Sequence, residues 1–209
     1  MRHLAPPVEK LLATLSGGLE KDSSAPSASS AFTRRLKREL DEAAIMANPD
    51  APAPLAPPEE VRSVLQAMCG DEVLQSCILR LTPALSWFSA ERFYPEPEHR
   101  AFSRNIWGAT IIGQEDAPFT ASDRFIALLM LIMPDTLYPR HAHRIEELYF
   151  VIAGEGEWSH ADNEWVHLKA GGTFFNQSSQ PHAIRTVGSA ALAIGLYLPP
   201  FGWEGGLVG

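Results

Sequence analysis

The hydrophobic pattern changes character near Asn105. Before it, apolar residues recur at helical spacing between proline-rich breaks; after it, short apolar runs alternate with turn residues. In the first part, Pro6 to Leu19 predicts a short helix, followed by a linker marked by Gly17-Gly18 and by the Ser, Ala and Pro of Asp22 to Ser30. Thr33 reads as the N-cap of a second helix that reaches about Ala47 and is stopped by Asn48-Pro49. Ala51 to Pro58 is too rich in proline for regular helix. A further helix starts near Pro58-Glu59-Glu60, and Asp71 caps another that runs through Leu81.

In the second part, strands are expected over Ile106 to Ile112, Arg124 to Met133, Glu147 to Ala153, around Trp158, and over Trp165 to Leu168. Others are expected over Thr173 to Asn176, His182 to Thr186 and Ala191 to Leu198. Gly154-Glu155-Gly156, Ala161-Asp162-Asn163 and Gly171-Gly172 read as connections between strands. Many short strands at even spacing predict a sandwich or barrel. The expected organisation is therefore a mainly β domain, residues 101–209, behind an α-helical extension, residues 1–100. That extension carries no concentrated chemistry; it either covers the barrel or forms the surface of a homodimer. Residues 1–30 are expected to be dispensable for catalysis.

Composition narrows the class. With 209 residues, 45% hydrophobic and 20% charged, the chain can bury one substantial core. The longest apolar run, around Ile126 to Met133, suits a buried strand and not a membrane span. Met1-Arg2-His3-Leu4 runs into Ala5-Pro6-Pro7 without the order of a secretory signal, so no membrane and a cytoplasmic location are expected. Cys69 and Cys77 then read as reduced and structural. A formal net charge of -8 argues against nucleic-acid partners. The basic run Arg34 to Arg38 meets Glu39, Asp41 and Glu42 and reads as a solvated helix face.

The chemistry concentrates between Tyr138 and Gly154, in Tyr-Pro-Arg-His-Ala-His-Arg-Ile-Glu-Glu-Leu-Tyr-Phe-Val-Ile-Ala-Gly. Residues two apart on a strand share a face, so His141 and His143 point together. A turn at Arg144-Ile145-Glu146 followed by a second strand would aim Glu147 and Tyr149 at the same space. The best fourth ligand is His182, beyond Gly171-Gly172. Three imidazoles and a carboxylate make a nitrogen and oxygen site for a divalent transition metal: zinc, iron(II), manganese, nickel or copper. His3, His99, His160 and His167 read instead as surface or hydrogen-bonded core residues.

These residues carry a resemblance. His141, His143, Glu147 and Gly154 match the first cupin motif, and Gly171 with His182 matches the second. Three positions depart from the cupin pattern: Asp135 stands where the opening glycine is usual, Lys169 for the proline of the second motif, and Thr186 for its terminal asparagine. The segment Tyr138-Pro139-Arg140-His141-Ala142-His143 with Glu147 and Tyr149 resembles more closely the cupin-type dimethylsulfoniopropionate (DMSP) lyases, and the likeness covers roughly the last 120 residues. The resemblance implies a double-stranded β-helix with one divalent metal inside, zinc, iron(II) or manganese, held by His141, His143, Glu147 and His182. It implies cleavage of DMSP to dimethyl sulfide and acrylate, the metal holding the substrate carboxylate. Tyr149, two residues after a ligand, is then the candidate base, and Tyr138 a substrate-orienting or second acid/base group. A sulfonium cation needs aromatic faces, for which Trp107, Trp158, Phe174, Tyr197 and Trp203 are available, with Trp107 and Trp158 preferred. Arg124, Arg140 and Arg185 are alternative carboxylate partners, although a surface position is the expected one for each. Two other readings stay open: an iron(II) oxygenase or isomerase acting on another small acid, and a non-catalytic cupin that binds one.

Overall fold

The computed structural model describes residues 5–19, 27–113, 117–121, 123–160, 164–201 and 204–208. Trp203 and the connection at 161–163 lie outside them, as do residues 22–26 of the expected linker. The helical part comprises α1 (Ala5–Leu19), α2 (Ser27–Glu42), α3 (Glu59–Ala67) and α4 (Glu72–Leu81), with a short α5 (Arg100–Ser103) before the barrel. Asp71 caps α4 as expected, its carboxylate accepting from the amides of Val73 and Leu74 at 3.0 and 2.9 Å. The first helix ends at Leu19 as expected, with Gly17 and Gly18 inside it, and a Cβ on Gly18 would approach Cε2 of the Phe150 ring to 2.7 Å. Both ends of the next helix differ from expectation. The second helix opens before Thr33 and closes at Glu42, because Met46–Ala47 (β1) is drawn off to pair with Phe119–Thr120 (β4).

The remaining strands are β2 (Phe88–Ser89), β3 (Ile106–Ile112), β5 (Ile126–Ile132), β6 (Leu137–His143), β7 (Glu147–His160), β8 (Trp165–Lys169), β9 (Thr173–Asn176), β10 (His182–Arg185), β11 (Ala191–Tyr197) and β12 (Gly205–Leu207). One sheet runs β1-β4-β3-β5-β11-β7-β9, with β2 on β3; the other runs β12-β6-β10-β7-β8. Strand β7 belongs to both. Its first half pairs with β9 and β11 and its second half with β8 and β10. The expected connection at Gly154-Glu155-Gly156 is thus a bend inside one strand. Gly154 makes the bend with φ +71, and a Cβ there would lie 2.0 Å from the Ala190 carbonyl oxygen. The result is a double-stranded β-helix with helices on one side.

Alternation along β7 sorts the core into two layers. Leu148, Phe150 and Ile152 face outward and pack with Leu11, Leu15, Leu36 and Ile78 of the helices, in one cluster that also takes Leu192 and Ile194 of β11. Tyr149 and Val151 face inward with Trp158, Ile184 and Ala193. The helices and the sheet therefore share a core. Among the described residues no helix is long and apolar enough to cross a membrane.

Candidate active site

The inward face at the β6 and β7 end of the barrel carries the polar groups. His141 and His143 stand on β6, Glu147 and Tyr149 open β7, and His182 opens β10 opposite His141 in the ladder. Plain alternation would put Tyr138 and His141, three residues apart, on opposite faces. The ladder shifts register there, with His182 opposite His141 and Ile184 opposite Tyr138, so an extra residue of β6 is accommodated around Pro139 and Arg140. This bulge turns Tyr138 onto the face of His141, where the two rings stack at 3.9 Å.

The three histidines are held in one tautomer. Nδ1 of His141 lies 2.9 Å from the Pro139 carbonyl, that of His143 2.8 Å from Ile145, and that of His182 2.9 Å from Gln180. A carbonyl can only accept, so each Nδ1 carries a proton, and in its neutral form each ring turns an Nε2 lone pair toward the others. Nitrogens of the three rings lie within 4.8 Å of one another. Glu147 Oε2 lies 3.3 Å from His143 Nε2 and 3.5 Å from His182 Nε2. Among the described residues, Nε2 of His182 is buried without a hydrogen-bond partner. With the rings neutral, three imidazole nitrogens and a carboxylate oxygen converge as acceptors and fit a cation, and the backbone carbonyls behind the rings are the support such ligands need.

Electrostatics agree with that arrangement. His141 is driven down to about 3, chiefly by burial and then by the charge of His182. Burial pushes Glu147 up, but His143, the charge of His182 and the Tyr197 hydrogen bond outweigh it and hold the carboxyl at about 2. His143, the most exposed of the three rings, is opposed by burial yet raised on balance by Glu147; His182 is lowered by burial. The phenols of Tyr138, Tyr149 and Tyr197 all sit well above their ordinary value, first because they are buried. The nearby Glu147 carboxylate adds to the shift at Tyr149 and Tyr197, and Tyr94 to that at Tyr138.

A cavity of ≈ 950 Å³ opens onto this cluster and reaches His141, His143, Glu147, Tyr138 and Tyr149. Trp107 and Tyr197 line it too, but Trp158 and Phe174 do not. Trp158 is 0% exposed because its position on the second half of β7 sets it in the inner core, 6.5 Å behind the Tyr149 ring. Phe174 stacks on His160 at 4.3 Å instead. Arg124 is engaged by Glu39 and Arg185 by Glu157, and neither lines the cavity, nor does Arg140. The sequence reading missed the outer wall, made by Phe88, Arg92, Phe93, Tyr94 and His99 from the segment before the barrel, with Tyr94 and Tyr138 hydroxyls 3.2 Å apart. It also missed the roles of Tyr197, whose hydroxyl donates to Glu147 Oε1, and of Asn176, whose amide donates to Glu147 Oε2 at 2.9 Å. Asn176 was findable: it follows Phe174 by two on β9, so a polar group lands on a buried face and must be partnered.

Fold and site define a double-stranded β-helix protein of the cupin type, with a cluster of three histidines that could hold a metal ion. A family model for dimethylsulfoniopropionate lyases matches residues 28–193. The chain belongs to the DMSP lyase family. It is 36% identical to the DMSP lyase DddQ of Ruegeria pomeroyi over 83 residues, which is 40% of this chain and 41% of that protein. The aligned segment thus spans less than half of that curated relative. The crystal structure of DddQ from Ruegeria pomeroyi DSS-3 superposes with a TM-score of 0.68 at 22% identity, covering 98% of this chain and 97% of that one. A chain from the crystal structures of the DMSP lyases RdDddP and RnDddQII gives 0.70 at 17% identity, over 99% and 100%. At these identities the two structures establish the shared fold.

Proposed function

We propose that this chain is a metal-dependent DMSP lyase that performs a β-elimination. The observation that carries the reading is that the family match, residues 28–193, runs through the whole cluster from Tyr138 to His182. His141, His143, Glu147 and His182 would hold one divalent metal, of which zinc, iron(II) and manganese suit the donor set. When bound, such an ion holds the substrate carboxylate, stabilises charge building on the adjacent carbon, and draws down the pKa of a neighbouring phenol. Tyr149 removes the proton from the carbon next to the carboxylate. Its hydroxyl lies 3.9 Å from the Met130 thioether, a weak acceptor, and also interacts with the Glu147 carboxylate, which could take up its proton. As the C–H bond breaks, its electrons form the new double bond and those of the C–S bond leave with sulfur. The products are dimethyl sulfide, acrylate and one proton.

Tyr138, stacked on His141 and bonded to Tyr94, orients the substrate across the cluster. Trp107 offers an aromatic face on the cavity wall to the sulfonium, a contact worth about 0.5–2 kcal/mol. The reading is tested with purified protein and DMSP by measuring headspace dimethyl sulfide and dissolved acrylate with each of the three metals and with chelator. Metal-dependent release of both products in equal amounts is expected. No release with any metal would remove DMSP as the substrate and turn the search to other small carboxylic acids.

A further inference from the structure

Behind Glu147 the structure shows a polar chain that the elimination itself does not require. Asn176, 0% exposed, sits between Glu147 and His160, which lie at opposite ends of β7 and so in different sheets. Its Nδ2 is 2.9 Å from Glu147 Oε2, and its Oδ1 is 3.2 Å from His160 Nε2. The ionised carboxylate only accepts, which fixes the amide orientation: nitrogen toward Glu147, oxygen toward His160. His160 Nε2 must then carry a proton, and it faces a second acceptor, the Phe175 carbonyl, at 3.2 Å. His160 therefore has the opposite tautomer from His141, His143 and His182, whose Nδ1 atoms are protonated. Its ring is fixed by stacking on Phe174 at 4.3 Å.

We propose that Asn176 and His160 are positioning residues of the metal centre: His160 orients the Asn176 amide, and Asn176 holds Glu147 Oε2 toward the imidazole nitrogens. The other carboxylate oxygen is taken by the Tyr197 hydroxyl. Both oxygens are thus anchored, and Oε2 can turn neither away from the cluster nor onto a competing donor. The inference rests on the reading of the cluster as a metal site but not on DMSP as substrate, and its tests do not use turnover.

Two measurements decide it. The first is metal affinity by competition with a chromophoric chelator, together with the visible spectrum of the cobalt(II)-loaded protein. Asn176→Leu and His160→Phe should each weaken binding, roughly ten- to hundredfold for the asparagine, and change the cobalt spectrum. His160→Gln, which keeps a donor for Asn176, should lie close to wild type; His160→Phe keeps the ring and removes only the donor. Wild-type affinity and spectrum in both Asn176→Leu and His160→Phe would overturn the proposal while leaving the metal site standing. A wild-type protein that binds none of these metals would overturn both. The second needs no variant: nitrogen-15 NMR of the histidines in wild-type protein at about pH 8.5, well above the ordinary imidazole pKa. His160 should show a protonated Nε2; a proton on Nδ1 instead would break the chain at its first link and overturn the proposal even if the variants fail to fold.

Discussion

Tyr149 is 3% exposed, and its phenol is held above its ordinary value by burial and by Glu147, so the base role proposed for it requires a cation next to it. Phenylalanine there keeps the ring that packs near Trp158 and removes only the hydroxyl. Tyr149→Phe should keep its full metal content, measured by elemental analysis, and lose roughly 10²- to 10⁴-fold in dimethyl sulfide release; normal turnover would remove Tyr149 as the base. His141 gives a second residue-scale expectation, for the metal-free protein. Its folded value of about 3 lies below the ordinary 6.5, so below pH 6.5 the unfolded chain takes up a proton that the folded protein refuses. Glu147 acts in the same direction further down: its contribution is complete above 4.5 and is lost as pH falls through about 2. His143, raised, opposes them, adding stability below 6.5 that disappears as pH rises through its folded value. With two buried groups against one half-buried ring, the melting temperature of metal-free protein should fall as pH is lowered from 6.5 toward 3. A flat profile across that window would show that His141 is not buried as a neutral ring. These residues were legible because alternation alone puts His141 beside His143 and Glu147 beside Tyr149. Tyr197 was seen only as an aromatic face, because its bond to Glu147 depends on the pairing of β11 with β7, which no local pattern encodes.

Among the elements, β7 shows where local reading stops. Gly154-Glu155-Gly156 has the composition of a turn, and without knowledge of partners a glycine pair is most simply read as a chain reversal. The strand continues because β8, β9, β10 and β11 all pair with it, and the glycine lets it change sheets in mid-course. The bulge in β6 is the same kind of feature: Pro139 lacks an amide proton for the ladder, yet only the register against β10 shows that Tyr138 has been turned toward His141. Thr173 to Asn176 and Ile106 to Ile112 match expectation to the residue because turn residues bound them on both sides. The bend yields a stability test. Gly154→Ala would force a Cβ toward the Ala190 carbonyl at positive φ, so it should cost at least roughly 1–3 kcal/mol in urea unfolding, with the loss spread over both sheets. Unchanged stability would mean that the strand bends elsewhere.

At the scale of the whole molecule, the helical segment is part of the protein's body on two counts. Phe88 to His99 supplies the outer wall of the cavity, and α1 fills the core behind the sheet that carries Glu147 and Tyr149. The wall could not be read from sequence, because its residues form short turns with no periodicity of their own. Burial of α1 argues against the expectation that residues 1–30 are dispensable. Val8, Leu11 and Leu15 are 0% exposed and Leu12 and Leu19 are 4% exposed, all on α1, with Gly18 set against the Phe150 ring. At about 1.5–3 kcal/mol for each buried side chain, these five hold roughly 7–15 kcal/mol of transfer energy. Even reduced by the entropy of ordering the helix, that is comparable with the roughly 5–15 kcal/mol by which a domain is stable at all. A chain beginning at residue 27 should therefore lose its cooperative unfolding transition and expose the outer faces of β7 and β11 to a hydrophobic dye. A truncated protein that unfolded cooperatively at the wild-type urea midpoint would show instead that the barrel stands alone and that α1 only covers it.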